Sequence, residues 1–336
     1  MNSKKNLLTI IIVLTTFLVN AQELTNDFYD NAPTIDLTMP SIEITGEISN
    51  PGKVDFSKLP LRSVIAKEAL LIDGKEKFIG AYRYDGYSLY DILNNSILQK
   101  KNAIEFEPII DLYVEIENAK GEKVVVSWGE IYYPVHRHEI IIATKVARII
   151  PSKTKELWTL PTENKLVVCS DLVSERNIST ITKITIKSYA KSFTVNKGMS
   201  PMFSKSINLF LKNKLVDSIV AYPNGFNVDK YPTIFYGRGK GIHSTSTFNG
   251  IQLKEILNTY NNNTKEQIQN GLIVFLAKDG YRCLYTFSEI FNRNDQAEVL
   301  LIDKMKVKDG GAFSVFPAAD FFSDRAVKAV EAIYIE

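Results

Sequence analysis

The most unusual local sequence in this chain is Tyr236-Gly237-Arg238-Gly239-Lys240-Gly241-Ile242-His243. Its alternating glycines expose backbone N–H groups, and Arg238, Lys240 and His243 add positive charge, a composition suited to an anion or a phosphate-bearing ligand. The same residues suit a solvated loop whose glycines serve turns, because no strand, loop and helix of a phosphate-binding motif surrounds them. A second group is His136-Arg137-His138. In an extended segment its two imidazoles project to one face and can share a metal, with Glu130 as a third candidate ligand. The alternative is a polar connection leading into the apolar run Ile140-Ile141-Ile142. Tyr84 and Tyr87, in a cluster with Tyr82 and Tyr90, either line a ligand pocket or partner surface or belong to the core and its edge. No serine, histidine and acid occur with a recognisable nucleophile turn. Cys169 and Cys283 lie in apolar, strand-like runs and read as separate buried thiols rather than a disulfide.

The elements that must position these residues follow a pattern that occurs twice. Tyr84-Asp85-Gly86-Tyr87-Ser88-Leu89-Tyr90-Asp91-Ile92-Leu93 and Phe248-Asn249-Gly250-Ile251-Gln252-Leu253-Lys254-Glu255-Ile256-Leu257 share an aromatic, a glycine, a leucine and an Ile-Leu pair at the same spacings, 164 residues apart. Each copy predicts a strand, a tight turn at the glycine and a short helix with the leucines and isoleucine buried. Both continue into a strand, a hairpin turn at Gly121 or Gly280 and a return strand. Glu130 then matches Glu289 at an offset of 159, and Asp171 and Arg176 match Asp320 and Arg325 at an offset of 149. Three consistent blocks in one order indicate an internal duplication.

The order of these elements, with the Asn50-Pro51-Gly52 turn before the first copy and Phe313-Ser314-Val315-Phe316-Pro317-Ala318-Ala319-Asp320 near the end of the second, resembles the sulfite oxidase type of molybdopterin-binding domain. In the first copy Lys165-Leu166-Val167-Val168-Cys169-Ser170-Asp171 resembles that same run, with Cys169 where proline is usual. The resemblance implies an α+β fold of mixed sheets and short helices, in two divergent tandem copies, and molybdopterin as the family's cofactor. Active members hold molybdenum through a cysteine thiolate shortly before the aromatic-glycine-leucine turn. The corresponding segments here, Lys67 to Ala81 and Tyr231 to Thr247, contain no cysteine. Exported members usually carry a twin-arginine signal, whereas this chain has Lys4-Lys5. The expectation is therefore a noncatalytic descendant that binds a small anionic ligand or an envelope protein partner, with no cofactor. An active molybdopterin-dependent oxidoreductase and a structural envelope protein are the alternatives.

Length and composition set the outer limits. The 336 residues suit two domains, and 45% hydrophobic residues without a long polar tract point to a globular chain. Lys4 and Lys5 precede an apolar run from Leu7 to Val19 that ends in Val19-Asn20-Ala21, the pattern of a signal peptide spanning 1–21, too short for a membrane span. That implies export by the general secretory route to a periplasmic or extracellular location. The rest carries 38 basic and 38 acidic residues, which gives no global drive toward nucleic acid or an anionic membrane. The expected organisation is an N-terminal arm over 22–40, a first domain over 41–190, a linker over 191–204 and a second domain over 205–336.

Overall fold

The computed structural model describes residues 32–304 and 311–336. The expected signal peptide and the first part of the arm lie outside those residues. Ten strands come first: β1 (Ile35–Asp36), β2 (Glu43–Gly46), β3 (Gly52–Lys53), β4 (Arg62–Ile72), β5 (Lys75–Ser88), β6 (Leu112–Asn118), β7 (Lys123–Ser127), β8 (Ile140–Arg148), β9 (Lys165–Val168) and β10 (Ile181–Ser188). Nine follow: β11 (Ile207–Leu211), β12 (Lys214–Ile219), β13 (Asp229–Gly237), β14 (Gly241–Gln252), β15 (Leu272–Ala277), β16 (Arg282–Thr286), β17 (Val299–Asp303), β18 (Phe313–Pro317) and β19 (Val330–Ile335). The α-helices are single short pieces: α1 (Leu89–Leu93), α2 (Trp128–Tyr132), α3 (Leu253–Leu257), α4 (Lys265–Asn270) and α5 (Phe287–Phe291).

This corrects the expected fold. The described residues are 45% strand against 13% helix, a mostly β structure with a propeller-like arrangement of four blades, and not a pair of α+β domains of the sulfite oxidase type. The reason is physical. The Leu-x-x-Ile-Leu pattern at Leu89 and Leu253 buries one side of a helix five residues long and then stops, whereas period-two alternation runs through β5 and β6 and feeds continuous sheets. No helix of the described residues is long and apolar enough to cross a membrane.

The four sheets come in two matching pairs. The orders β3-β2-β10-β6-β7 and β12-β11-β19-β15-β16 are the same, with β2–β10 and β11–β19 as parallel pairs and the rest antiparallel. The series β4-β5-β8-β9 and β13-β14-β17-β18 also match in order, and equivalent residues pair where both are paired, although β5–β8 pairs over a longer stretch than β14–β17. Ala143 pairs with Lys165 in the first, and Ile302 pairs with Ser314 in the second. Even the irregularities agree, since the register shifts after Glu68 in β4 and after Phe235 in β13.

A core around Leu89, Val114, Ile142 and Ile184 fills the first half. The second core, around Phe275, Tyr285, Leu301 and Ile333, recruits Phe106, Ile110, Tyr133 and Val173 from the first half, so the two halves share apolar packing. Backbone bonds cross the seam in symmetric pairs. Phe321 N–H donates to the Tyr133 carbonyl and Leu172 N–H to that of Asn292, both at 2.8 Å. At its centre Arg176 binds Asp171 and Glu130 with bonds of 2.6–2.9 Å, and Arg325 binds Asp320 and Glu289 with bonds of 2.6–2.8 Å. Both guanidiniums are fully buried, and two carboxylates on each, bidentate in Asp171, Glu130 and Asp320, are what make such burial tolerable.

Candidate functional site

A cavity of about 360 Å³ opens at the seam and is lined by His136, Arg137 and His138 above Glu130, Glu289, Arg293 and Arg325. Most of its charged side chains are held in ion pairs, while Arg137 donates to the Tyr90 hydroxyl and lies over that ring. Glu130 is held by Arg176, Glu289 by Arg325, and Arg293 by Asp295. Burial pushes the Asp171 carboxyl up to about 6 even with Arg176 beside it. The His136–His138 segment is bent rather than extended, with His138 at φ 75°, which removes the alternation that would have aimed both imidazoles one way. His138 Nδ1 instead lies 3.0 Å from Ser88 Oγ and 3.5 Å from Asp91 Oδ2, and its ring meets Tyr90 edge-on. Ser88 caps α1 by accepting from the Asp91 N–H at 3.1 Å. Serine and aspartate thus both face the same imidazole nitrogen. A catalytic triad needs them on opposite nitrogens, so this is a capping group and not a nucleophile. Among the described residues no group of three or more His, Cys, Asp or Glu is placed to hold a metal ion.

The two cysteines are free. Burial pushes the Cys169 thiol up to about 12 and the Cys283 thiol higher still, and Cys283 sits in the core 3.7 Å from the Arg325 carbonyl. Both thiols are therefore held in the neutral form, a poor match to the anionic sulfur a molybdenum centre would require.

The glycine-rich segment forms the β13–β14 hairpin, with Arg238, Gly239 and Lys240 at its tip. Arg238 is tied to Asp324 at 3.1 Å and lies over the rings of Tyr133 and Phe322. The His243 ring fills the space beside Gly237, where a Cβ would lie 2.4 Å from Nε2, while Gly239 faces open space. Gly241 closes the hairpin at φ 79°. Tyr84 is buried in the other half, donating to Glu68 Oε1 at 3.2 Å, and Tyr87 packs on Phe56. The glycine-rich hairpin and the two tyrosines are thus set on different sheets.

A second cavity, of about 320 Å³, lies along one face of that hairpin's sheet. Alternation creates it. Ser244, Ser246 and Phe248 of β14, Ser314 and Phe316 of β18, and Ile302 of β17 project to this face, while Leu301, Phe313 and Val315 project into the core. Phe248 and Phe316 stack at 4.2 Å, and Phe235 of β13 completes the wall. Lys304 and Lys328 flank the opening, and among the described residues neither makes an ion pair. The Ser314 side chain is buried, and among the described residues its hydroxyl has no hydrogen-bond partner.

The first half shows why this cavity is confined to the second. There the matching sheet face is covered by Trp158, Leu160 and Leu37, and the Tyr82 hydroxyl donates to the Thr159 carbonyl at 2.8 Å. The covering residues come from the long β8–β9 connection, 149–164, and from the segment around β1. The cavity residues escaped the sequence reading because none forms a contiguous motif. Their one signature is the alternation Ser244, Ser246, Phe248 and Ser314, Phe316, which places small hydroxyls and rings on a face otherwise expected to be plain core or plain solvent.

No protein-family model matches this chain, and no curated protein matches it.

Proposed function

We propose that this chain is an exported, noncatalytic binding protein that takes a small organic anion in the cavity between β13–β14 and β17–β18. One observation carries the reading: two lysines that have no acidic partner among the described residues flank an aromatic-walled cavity, with a serine hydroxyl in its lining that has no hydrogen-bond partner among them either. An ammonium beside a low-dielectric wall gains more from an anion than it would in water, and the rings of Phe235, Phe248 and Phe316 gain by covering apolar ligand surface. The Lys4-Lys5 and Leu7–Val19 pattern supports export, and the near-zero charge of the remainder supports a small ligand over a polyanion.

Thermal melting of the chain from Gln22 onward, with and without naphthalene-2-sulfonate, tests this. Ligand at 100 times its dissociation constant should stabilise the protein by about 2.7 kcal/mol, a rise of several degrees in melting temperature. Lys304→Ala with Lys328→Ala should abolish most of that rise while leaving the unliganded melting temperature within about a degree. Melting unaffected by the anion, or a rise that survives in the double variant, refutes the reading.

A further inference from the structure

The cavity at the seam contains one carboxylate that is not matched by a cation. Glu130, Glu289 and Asp295 in its lining each face an arginine, and Arg137 is held at Tyr90. Glu139 lines the same cavity, and among the described residues its carboxylate makes neither a hydrogen bond nor an ion pair. The charges it feels are those of His136, Asp295 and Arg293, which line the cavity too, so the carboxylate faces that space. Burial raises its pKa above the ordinary glutamate value, with His136 and Arg293 opposing the rise and Asp295 adding to it. A carboxylate in that setting gains from a cation brought beside it.

The second half supplies that cation from its own chain. Ser88 pairs with Ile141 and Gln252 with Leu300, so two residues further along, Tyr90 corresponds to Lys254 and Glu139 to Glu298. Lys254 Nζ binds the Glu298 carboxylate, and Glu298 is buried. Tyr90 brings no charge to Glu139. Its ring packs on Tyr132 and His138, its hydroxyl accepts from Arg137 at 3.0 Å, and it takes no part in the cavity lining. The space in front of Glu139 is instead bounded by His136 and Ser170, with Val135, Ile140, Ala297 and Ala318 as apolar wall.

We infer that the seam cavity binds a protonated primary amine on a short apolar body, with the ammonium on Glu139. An ammonium has three N–H donors and no acceptor, which suits one carboxylate together with the His136 imidazole and the Ser170 hydroxyl. A planar guanidinium fork is matched best by bidentate carboxylates, and the other acids of the lining are already taken by arginines. The apolar wall covers the body, and about 360 Å³ accommodates a small ligand. This site is separate from the cavity between β13–β14 and β17–β18 and does not depend on it.

Isothermal titration calorimetry of the chain from Gln22 onward at neutral pH tests the inference, with 2-phenylethylamine, 3-phenylpropionate and 2-phenylethanol as probes that share a ring and differ in charge. The amine should bind about tenfold more tightly than the acid or the alcohol, or better. Glu139→Gln removes a charge that no described residue pairs with, so it should melt as the native chain does and weaken the amine about tenfold. Tyr90→Lys sets the second half's lysine beside Glu139 and should weaken the amine several-fold. Lys304→Ala with Lys328→Ala should leave amine binding unchanged. An amine that binds no more tightly than the alcohol or the acid overturns the inference on the native chain alone, whatever the variants do. Undiminished amine affinity in Glu139→Gln, or amine binding lost in the lysine double variant, overturns it as well.

Discussion

His138 illustrates how a chemically suggestive residue is used here for local structure. Burial lowers its pKa from the ordinary histidine value, and Arg62 lowers it further, although Asp91 pulls the other way. The folded state thus binds fewer protons than the unfolded state once the pH falls below about 6.5, and stability drops over that interval until the folded histidine itself titrates. Above about 6.5 both states are neutral and the contribution is flat. In melts between pH 7.5 and 5.5, His138→Gln should lose part of the stability decrease that the native chain shows. Equal slopes for the two proteins would mean that the imidazole is not held neutral beside Ser88.

At the scale of elements, the two glycines of the repeated pattern do not make turns. Gly86 lies within β5, where a Cβ would come 2.2 Å from the Ile142 carbonyl oxygen, and Gly250 lies within β14, 2.6 Å from that of Leu301. Each lets the neighbouring strand approach closely just before the chain enters α1 or α3, and in the first half the β5–β8 register shifts between Asp85 and Gly86. Neither has a positive φ, so the requirement is for space and not for a left-handed backbone. Gly86→Ala should cost about 1–3 kcal/mol in urea unfolding, as overpacking against backbone does. Gly239→Ala, at the open hairpin tip, should stay within about 0.5 kcal/mol. Comparable costs at the two sites would contradict the close-approach account.

At the scale of the molecule, the seam decides cohesion. The backbone pairs Tyr133–Phe321 and Leu172–Asn292 cross between halves, and the Arg176 Nη1 group also reaches the Thr286 hydroxyl at 3.4 Å. Separating the halves would strand buried carboxylates and guanidiniums in partly open surfaces and expose Phe106 and Tyr133. Calorimetry of the full chain should therefore show one transition whose van't Hoff and calorimetric enthalpies agree. Two resolved transitions would show that each half folds independently of the seam.

The sequence by itself determined the local elements and their repetition: the hairpins at Gly121 and Gly280, the short helices after Ser88 and Gln252, and the matched acids and arginines of the two copies. These depend on alternation, caps and spacing, which act over a few residues. It misjudged the class, because a repeated five-residue helix stands out as a motif while the longer strands around it carry most of the chain. Only the tertiary structure decided which residues meet. Arg176 and Arg325 find carboxylates 46 and 36 residues away as well as those in their own turns. The histidines are separated by a bend at φ 75°, and the face that Trp158, Leu160 and Leu37 cover in the first half carries a cavity walled by Phe235, Phe248 and Phe316 in the second. Such pairings come from strand register and loop length over long separations, and no local pattern in either copy encodes which face is left open.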